Sequence, residues 1–263
     1  MALEKSEAVV LRMFNWSESS RTAVFFTERL GKIPLVDKGG RSAKSKRGRL
    51  LPMAHLELTF YRSEKQSNGY LSSTEVVREF SVEQDGSLGR LAYGSAGCEL
   101  LNLMLPEGEA NAGLFQYFLE YLTKVTSVPK QFLPAVFLAF FLRTMSQLGY
   151  HPSLAYCSGC NKESGEIELS GGKIMFSPER GGLVCPACQR PGEYYIGLSR
   201  EQARLLSVIQ RASLDEAATV PISFSEASLL VEALTKFLKY HSGLFSDIKS
   251  ITFLDKLKDS RIT

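Results

Sequence analysis

Apolar and polar positions alternate along the first eighty residues with the period of two that marks half-buried strands. Glu7–Trp16 is rich in apolar residues and carries no glycine or proline. Arg21–Gly39 divides at Arg29–Lys32 into the two arms of a hairpin. Met53–Arg62 sets Leu56, Leu58 and Phe60 on one face and His55, Glu57, Thr59 and Tyr61 on the other. A turn at Gln66–Gly69 leads into a fifth strand over Tyr70–Phe80. Five short strands in so little chain predict a small barrel, because closure removes edges that a short sheet cannot protect.

From Gly86 the period changes to that of a helix. Leu88, Leu91, Ala92, Ser95, Cys98 and Leu101–Leu105 recur at helical spacing until Pro106 ends the pattern. A second helix follows over Ala112–Ser127. The third, Leu133–Tyr150, is apolar nearly all round and is expected to be the central buried one, closed by Gly149. Helices resume at Leu198–Ala212, where Ser199 and Gln202 stand at capping-box spacing. Ser225–Gly243 and Ser246–Ser260 predict two more.

A length of 263 residues predicts two domains with a small third module, and a composition of 44% hydrophobic and 22% charged residues is that of an ordinary globular protein. The net charge of +3 hides an asymmetry: residues 1–80 hold 14 basic against 9 acidic residues, the remainder 17 against 19. Residues 1–8 contain Glu4 and Glu7 and no apolar signal core. The longest apolar run, Phe132–Leu142, is far short of the roughly 20 residues that span a bilayer. The expectation is a cytoplasmic protein with no membrane role.

Cys157-Ser-Gly-Cys160 and Cys185-Pro-Ala-Cys188 are separated by 24 residues. Each C-x-x-C turn aims two thiolates at one point, and two turns supply the four sulfurs of a closed tetrahedral site. One structural Zn²⁺ is the expected ion, with four free or redox-active thiols as the bland alternative. His55-Leu-Glu57 brings to mind the H-x-E of zinc deaminases, but it lies in an alternating strand, and Pro186 sits inside the second pair rather than before it. The chain has no G-x-x-x-x-G-K-[ST] and no G-x-S-x-G, and His151 and His241 stand in no register with a nucleophile. No catalytic residue is expected. Cys98, within an apolar helical pattern, reads as a small core residue.

Between the third and fourth strands, Lys38, Arg41, Lys44, Lys46, Arg47 and Arg49 follow one another with no acidic residue among them. Such a run is either a solvated loop or a polyanion site. Its glycines and serines let the backbone follow a phosphate chain, and it has no apolar face for a membrane. Bases of a single strand would also need aromatic platforms. Trp16 and Tyr61 are the candidates for base stacking; Phe14 is a third, divided between stacking and the core.

The basic run with the strand after it, the motif "YCSGCNKE…GGLVCPAC" and the late "YHSGLFSDIKS" resemble the RecO family of bacterial recombination mediators, in an order that covers the whole chain. The resemblance implies an α+β multidomain protein: an OB-fold β-barrel over residues 1–80, an α-helical body over 81–150 and 197–263, and an inserted four-cysteine zinc module over 151–196. It implies a non-enzymatic, nucleoid-associated protein that binds single- and double-stranded DNA and anneals complementary strands. Its partners would be RecR and the single-stranded-DNA-binding protein, with a functional link to RecA. DNA contact passes to the six basic residues as a group. The reading from another class is a protein-interaction scaffold built on the zinc module, with the basic run incidental.

Overall fold

In the computed structural model the residues described are 2–15, 17–40, 50–62, 69–80, 88–243 and 246–252. Five strands open the chain: β1 (Ala2–Asn15), β2 (Arg21–Thr27), β3 (Gly31–Asp37), β4 (His55–Arg62) and β5 (Gly69–Arg78). They close into a barrel in the order β1-β2-β3-β5-β4. β1 makes closure possible. Its first half pairs with β4 and its second half with β2, with a register shift between Val10 and Arg12 that bends the strand from one neighbour to the other. The circle is completed by β3 and β5, which run parallel and match at two positions only, Leu35 with Gly69 and Val36 with Tyr70.

Alternation fills the interior. Leu56, Leu58 and Phe60 are fully buried beside Val10, Phe25, Ile33 and Leu35. β1 begins five residues before the apolar pattern starts, because Ala2–Ser6 find hydrogen-bonding partners on β4 despite their polar character. β4 begins two residues later than its pattern: Met53 sits at φ +64°, in a turn. His55 shares the outer face with Tyr61 yet is buried, because Phe115 covers it edge-on at 5.9 Å between centroids.

Two helices follow, α1 (Leu88–Met104) and α2 (Ala112–Ser127). α1 lies against β1 and α2. Leu100 and Leu101 of α1 are fully buried, whereas Leu88 and Leu91 are exposed, so the inward face is set a little round from the one that spacing alone marks. Cys98 is buried against β1, its Sγ donating to the Val10 carbonyl at 3.7 Å, and burial pushes its thiol up to about 12. Barrel, α1 and α2 together form one compact unit, residues 1–127.

The second unit, residues 128–263, is organised around α3 (Leu133–Gln147). Twelve of its 15 residues are buried, which bears out the all-round apolar pattern. Its end carries paired bonds from Tyr150 to the Met145 carbonyl and from Gly149 to Ser146, the arrangement that an αL residue after a helix allows. A small antiparallel sheet follows, β7-β6-β8, built from β6 (Ile174–Ser177), β7 (Gly182–Val184) and β8 (Ile196–Leu198). α4 (Arg200–Ile209), α5 (Leu214–Ala217) and α6 (Phe224–Ser242) then pack on α3. Each is opened by a capping box: Ser199 with Gln202, Ser213 with Glu216, Ser223 with Glu226. Of the last expected helix, Ser246–Ser260, only 246–252 fall among the described residues.

Candidate functional site

The two cysteine turns form by different local means. In the first, the Cys157 amide donates to the Lys162 carbonyl at 2.8 Å, and Asn161, at φ +64°, returns its amide to Cys157 at 2.9 Å. In the second, Pro186–Cys188 make a single 3₁₀ turn with the Cys188 amide on the Cys185 carbonyl at 2.9 Å. β7 joins them. The Ser158 amide and hydroxyl both donate to the Leu183 carbonyl, at 2.7 and 3.1 Å, two residues before Cys185. Arg180 donates to the Cys188 carbonyl from the far side. Gly159 is where the turns meet: a Cβ there would lie 2.8 Å from the Cys188 sulfur.

The result brings Cys157, Cys160, Cys185 and Cys188 together, with all four sulfurs within 4.8 Å of one another. Cys160 and Cys185, from opposite turns, are 3.7 Å apart. A tetrahedral ion with metal–sulfur bonds of about 2.3 Å needs sulfurs about 3.8 Å apart. The four cysteines are thus close enough to hold a metal ion. Their protonation points the same way. Burial would raise the Cys157 thiol, but amides of Cys185, Gly159 and Cys160 turned towards its sulfur outweigh burial and bring it down to about 6. The neighbouring thiols of Cys185 and Cys160 push Cys188 up to about 12, and burial raises Cys185. One thiolate forms readily; further ones crowd upon it and need a cation between them.

An open cleft of about 870 Å³ adjoins the first turn, lined among others by His151, Cys160, Arg180, Phe237 and His241. Both histidines have hydrogen-bonding partners. His241 Nε2 meets the Pro178 carbonyl at 2.9 Å and its ring lies 4.5 Å from that of Phe237; His151 meets Ser146 at 3.2 Å. His55 and Glu57 are equally engaged, with Glu7 at 2.8 Å and Lys5 at 3.2 Å.

Of the six basic candidates, Lys38 is among the described residues; Arg41, Lys44, Lys46, Arg47 and Arg49 lie outside them, as does Trp16. The chain enters the basic segment through a tight turn. The Gly40 amide donates to the Asp37 carbonyl at 3.3 Å, with Gly39 at φ +72°, as a type II turn requires at its third position. A Cβ on Gly40 would overlap the Asp37 carboxylate. That carboxylate is buried and takes the Arg21 Nε at 2.9 Å from the facing strand. Asp37→Ala is therefore expected to cost on the order of 3 kcal/mol, by leaving Arg21 half-buried without its partner, and to show as a lowered urea midpoint. The far end of the segment is tied as well, with Leu50 in the barrel core. Lys38 itself sits over the ring of Tyr70, 4.2 Å from its centroid.

Tyr61 is 42% exposed, and so is Phe14, which settles that ring outside the core. Tyr70 was hidden from pattern reading as merely the first residue of a strand. Alternation out from Leu71 was the available signal.

Two family models match, described as Recombination protein O N terminal over residues 1–80 and Recombination protein O C terminal over residues 86–250. The chain belongs to the RecO family. Relatives called DNA repair protein RecO align end to end with it. The protein from Symbiobacterium thermophilum is 28% identical over 267 residues, covering 99% of this chain and all of the relative. That from Listeria monocytogenes is 26% identical, with 97% and 95% covered, and that from Anaeromyxobacter dehalogenans 28%, with 96% of each. Among the described residues, no helix is long and apolar enough to cross a membrane.

Proposed function

We propose that this chain is a DNA repair and recombination mediator without catalytic activity. It binds single- and double-stranded DNA, anneals complementary strands and, with RecR, helps load RecA onto DNA coated by the single-stranded-DNA-binding protein. The observation that carries the reading is a basic segment with six cations and no acid, its two ends tied to a closed β-barrel, in a chain of the RecO family. Residues 1–80 act as an OB-fold nucleic-acid-binding domain and 151–196 as a zinc module, while the helices divide between the two compact units, α1 and α2 with the barrel and α3 to α6 with the module. Lys38, Arg41, Lys44, Lys46, Arg47 and Arg49 contact phosphate as a group. The protein works in the cytoplasm, on the nucleoid.

The chemistry fits annealing. Two complementary strands repel through their phosphates. A protein that neutralises both backbones and leaves base edges free lowers that barrier without reading sequence and without nucleotide hydrolysis. The metal is one zinc: four thiolates and no free coordination position favour a structural ion over a catalytic one.

Salt-dependent binding tests this directly. If about four phosphates are neutralised on a single strand, log affinity against log salt should fall with a slope of roughly −3. Labelled oligonucleotides followed by anisotropy, with an ATP-free annealing assay beside them, supply the readout. Affinity indifferent to salt would exclude the reading. The scaffold alternative draws on one observation, the cleft beside the first cysteine turn.

A further inference from the structure

The strand registers place six outer-face positions in one row around the barrel: Leu3 opposite Tyr61, Tyr61 opposite Tyr70, Tyr70 beside Val36, then Thr22 and Phe14. One stretch of this row is unusually apolar for a surface. Leu3 is 58% and Tyr61 42% exposed, side by side, and Tyr70 next to them is half-buried. Directly opposed side chains on neighbouring strands have Cβ atoms about 5 Å apart, so these groups form one continuous patch. The stretch is clear of the helix that covers the other end of β4. Phe115 lies on His55 and Phe26, and Tyr61 is six residues along the strand from His55, about 20 Å away.

A cation is held beside it. Lys38 rests on the Tyr70 ring, at the mouth of the segment that carries the other five cations. A second protein would favour a wider apolar surface than two or three side chains. A flat exposed ring beside a held ammonium, at the edge of a run of cations, instead matches the alternation of base and phosphate along a single strand.

We propose that Tyr61, flanked by Leu3, is a base-stacking platform for single-stranded nucleic acid, and that Tyr70 seats Lys38 to take the phosphate next to the stacked base. The inference rests on the DNA-binding reading above and adds a strand preference to it. Only an unpaired base offers a face to Tyr61; a duplex hides its faces and reaches the cations alone. Tyr70 acts through Lys38 and is a positioning residue.

The test uses the full chain and three labelled probes of equal length: an oligothymidylate, a strand of abasic sites, and a duplex. The wild-type protein should bind oligothymidylate more tightly than the abasic strand. Tyr61→Ala should lower oligothymidylate affinity roughly 5- to 150-fold and leave abasic and duplex binding within about twofold; Tyr61→Phe should retain the wild-type pattern. Lys38→Ala should weaken binding to both single strands alike and make the salt slope shallower by about 0.7. Equal wild-type affinity for thymidylate and abasic strands overturns the platform while leaving DNA binding intact, as does a Tyr61→Ala loss shared equally by all three probes. Failure of every probe to bind removes the DNA-binding reading, and this inference with it.

Discussion

Cys185→Ala is expected to strip the four-cysteine site of its metal and to open residues 151–196 locally. Zinc content measured on freshly purified protein should fall from about one per chain to nearly none, because three thiolates leave a structural site incomplete. Structural zinc supplies roughly 10–16 kcal/mol of apparent binding energy in zinc-finger peptides, and the proposed zinc would add such energy to the backbone bonds at the two turns. The module would not depend wholly on such an ion. Phe176, Leu183 and Val184 of its small sheet are fully buried, and β6 pairs with both neighbours. The expected result is therefore local. Hydrogen exchange should accelerate at the two cysteine turns and along β7, less at β6, and little in the barrel. A chelator should reproduce the pattern in the unaltered protein. Unchanged exchange in metal-free Cys185→Ala would show that the turns hold without an ion. A cobalt-substituted protein with fewer than four sulfur ligands would reopen the case for a catalytic, open metal site.

Reversing Lys44, Lys46, Arg47 and Arg49 to glutamate should lower single-strand affinity by more than about 100-fold near 0.1 M salt and flatten the salt slope towards zero. Four cations are lost and four repulsions gained, on a segment whose composition offers nothing to a folded core. The unfolding transition should be unchanged. A variant that keeps its stability and its affinity would reassign DNA contact to another surface. The same variant tests the scaffold alternative. Binding to RecR or to the single-stranded-DNA-binding protein that survives the reversal, in a protein that has lost DNA, would place partner recognition elsewhere on the molecule.

Much of this was legible in the residues because the signals were periodic or covalently spaced. Leu56, Leu58 and Phe60 mark the inside of β4, Ser199 and Gln202 mark the start of α4, and the C-x-x-C pairs mark their own convergence. What escaped depends on partners distant in sequence. The polar start of β1 becomes a strand only because β4 lies beside it. His55 is buried only because α2 arrives from sixty residues away. β8 is three residues long, too short to show a period, and exists by pairing with β6. The boxes at Ser213 and Ser223 each carry a readable S-x-x-E, a weaker signal than the apolar patterns that follow them. The row from Leu3 to Tyr70 could not be read at all without the registers.

The short parallel junction of β3 with β5 gives the barrel a seam. Elsewhere the strands are held by long antiparallel ladders; here two matched positions close the circle, in the geometry that is weaker per residue. Fluctuations that part the barrel should start there. Lys38 follows β3 and Tyr70 belongs to β5, so their cation–ring contact spans the seam like a button. A strand of nucleic acid lying on Lys38 and Tyr61 would span it too. Breathing of the sheet and occupancy of its outer face would then be one linked equilibrium, in which the ligand acts as a clamp as well as a cargo.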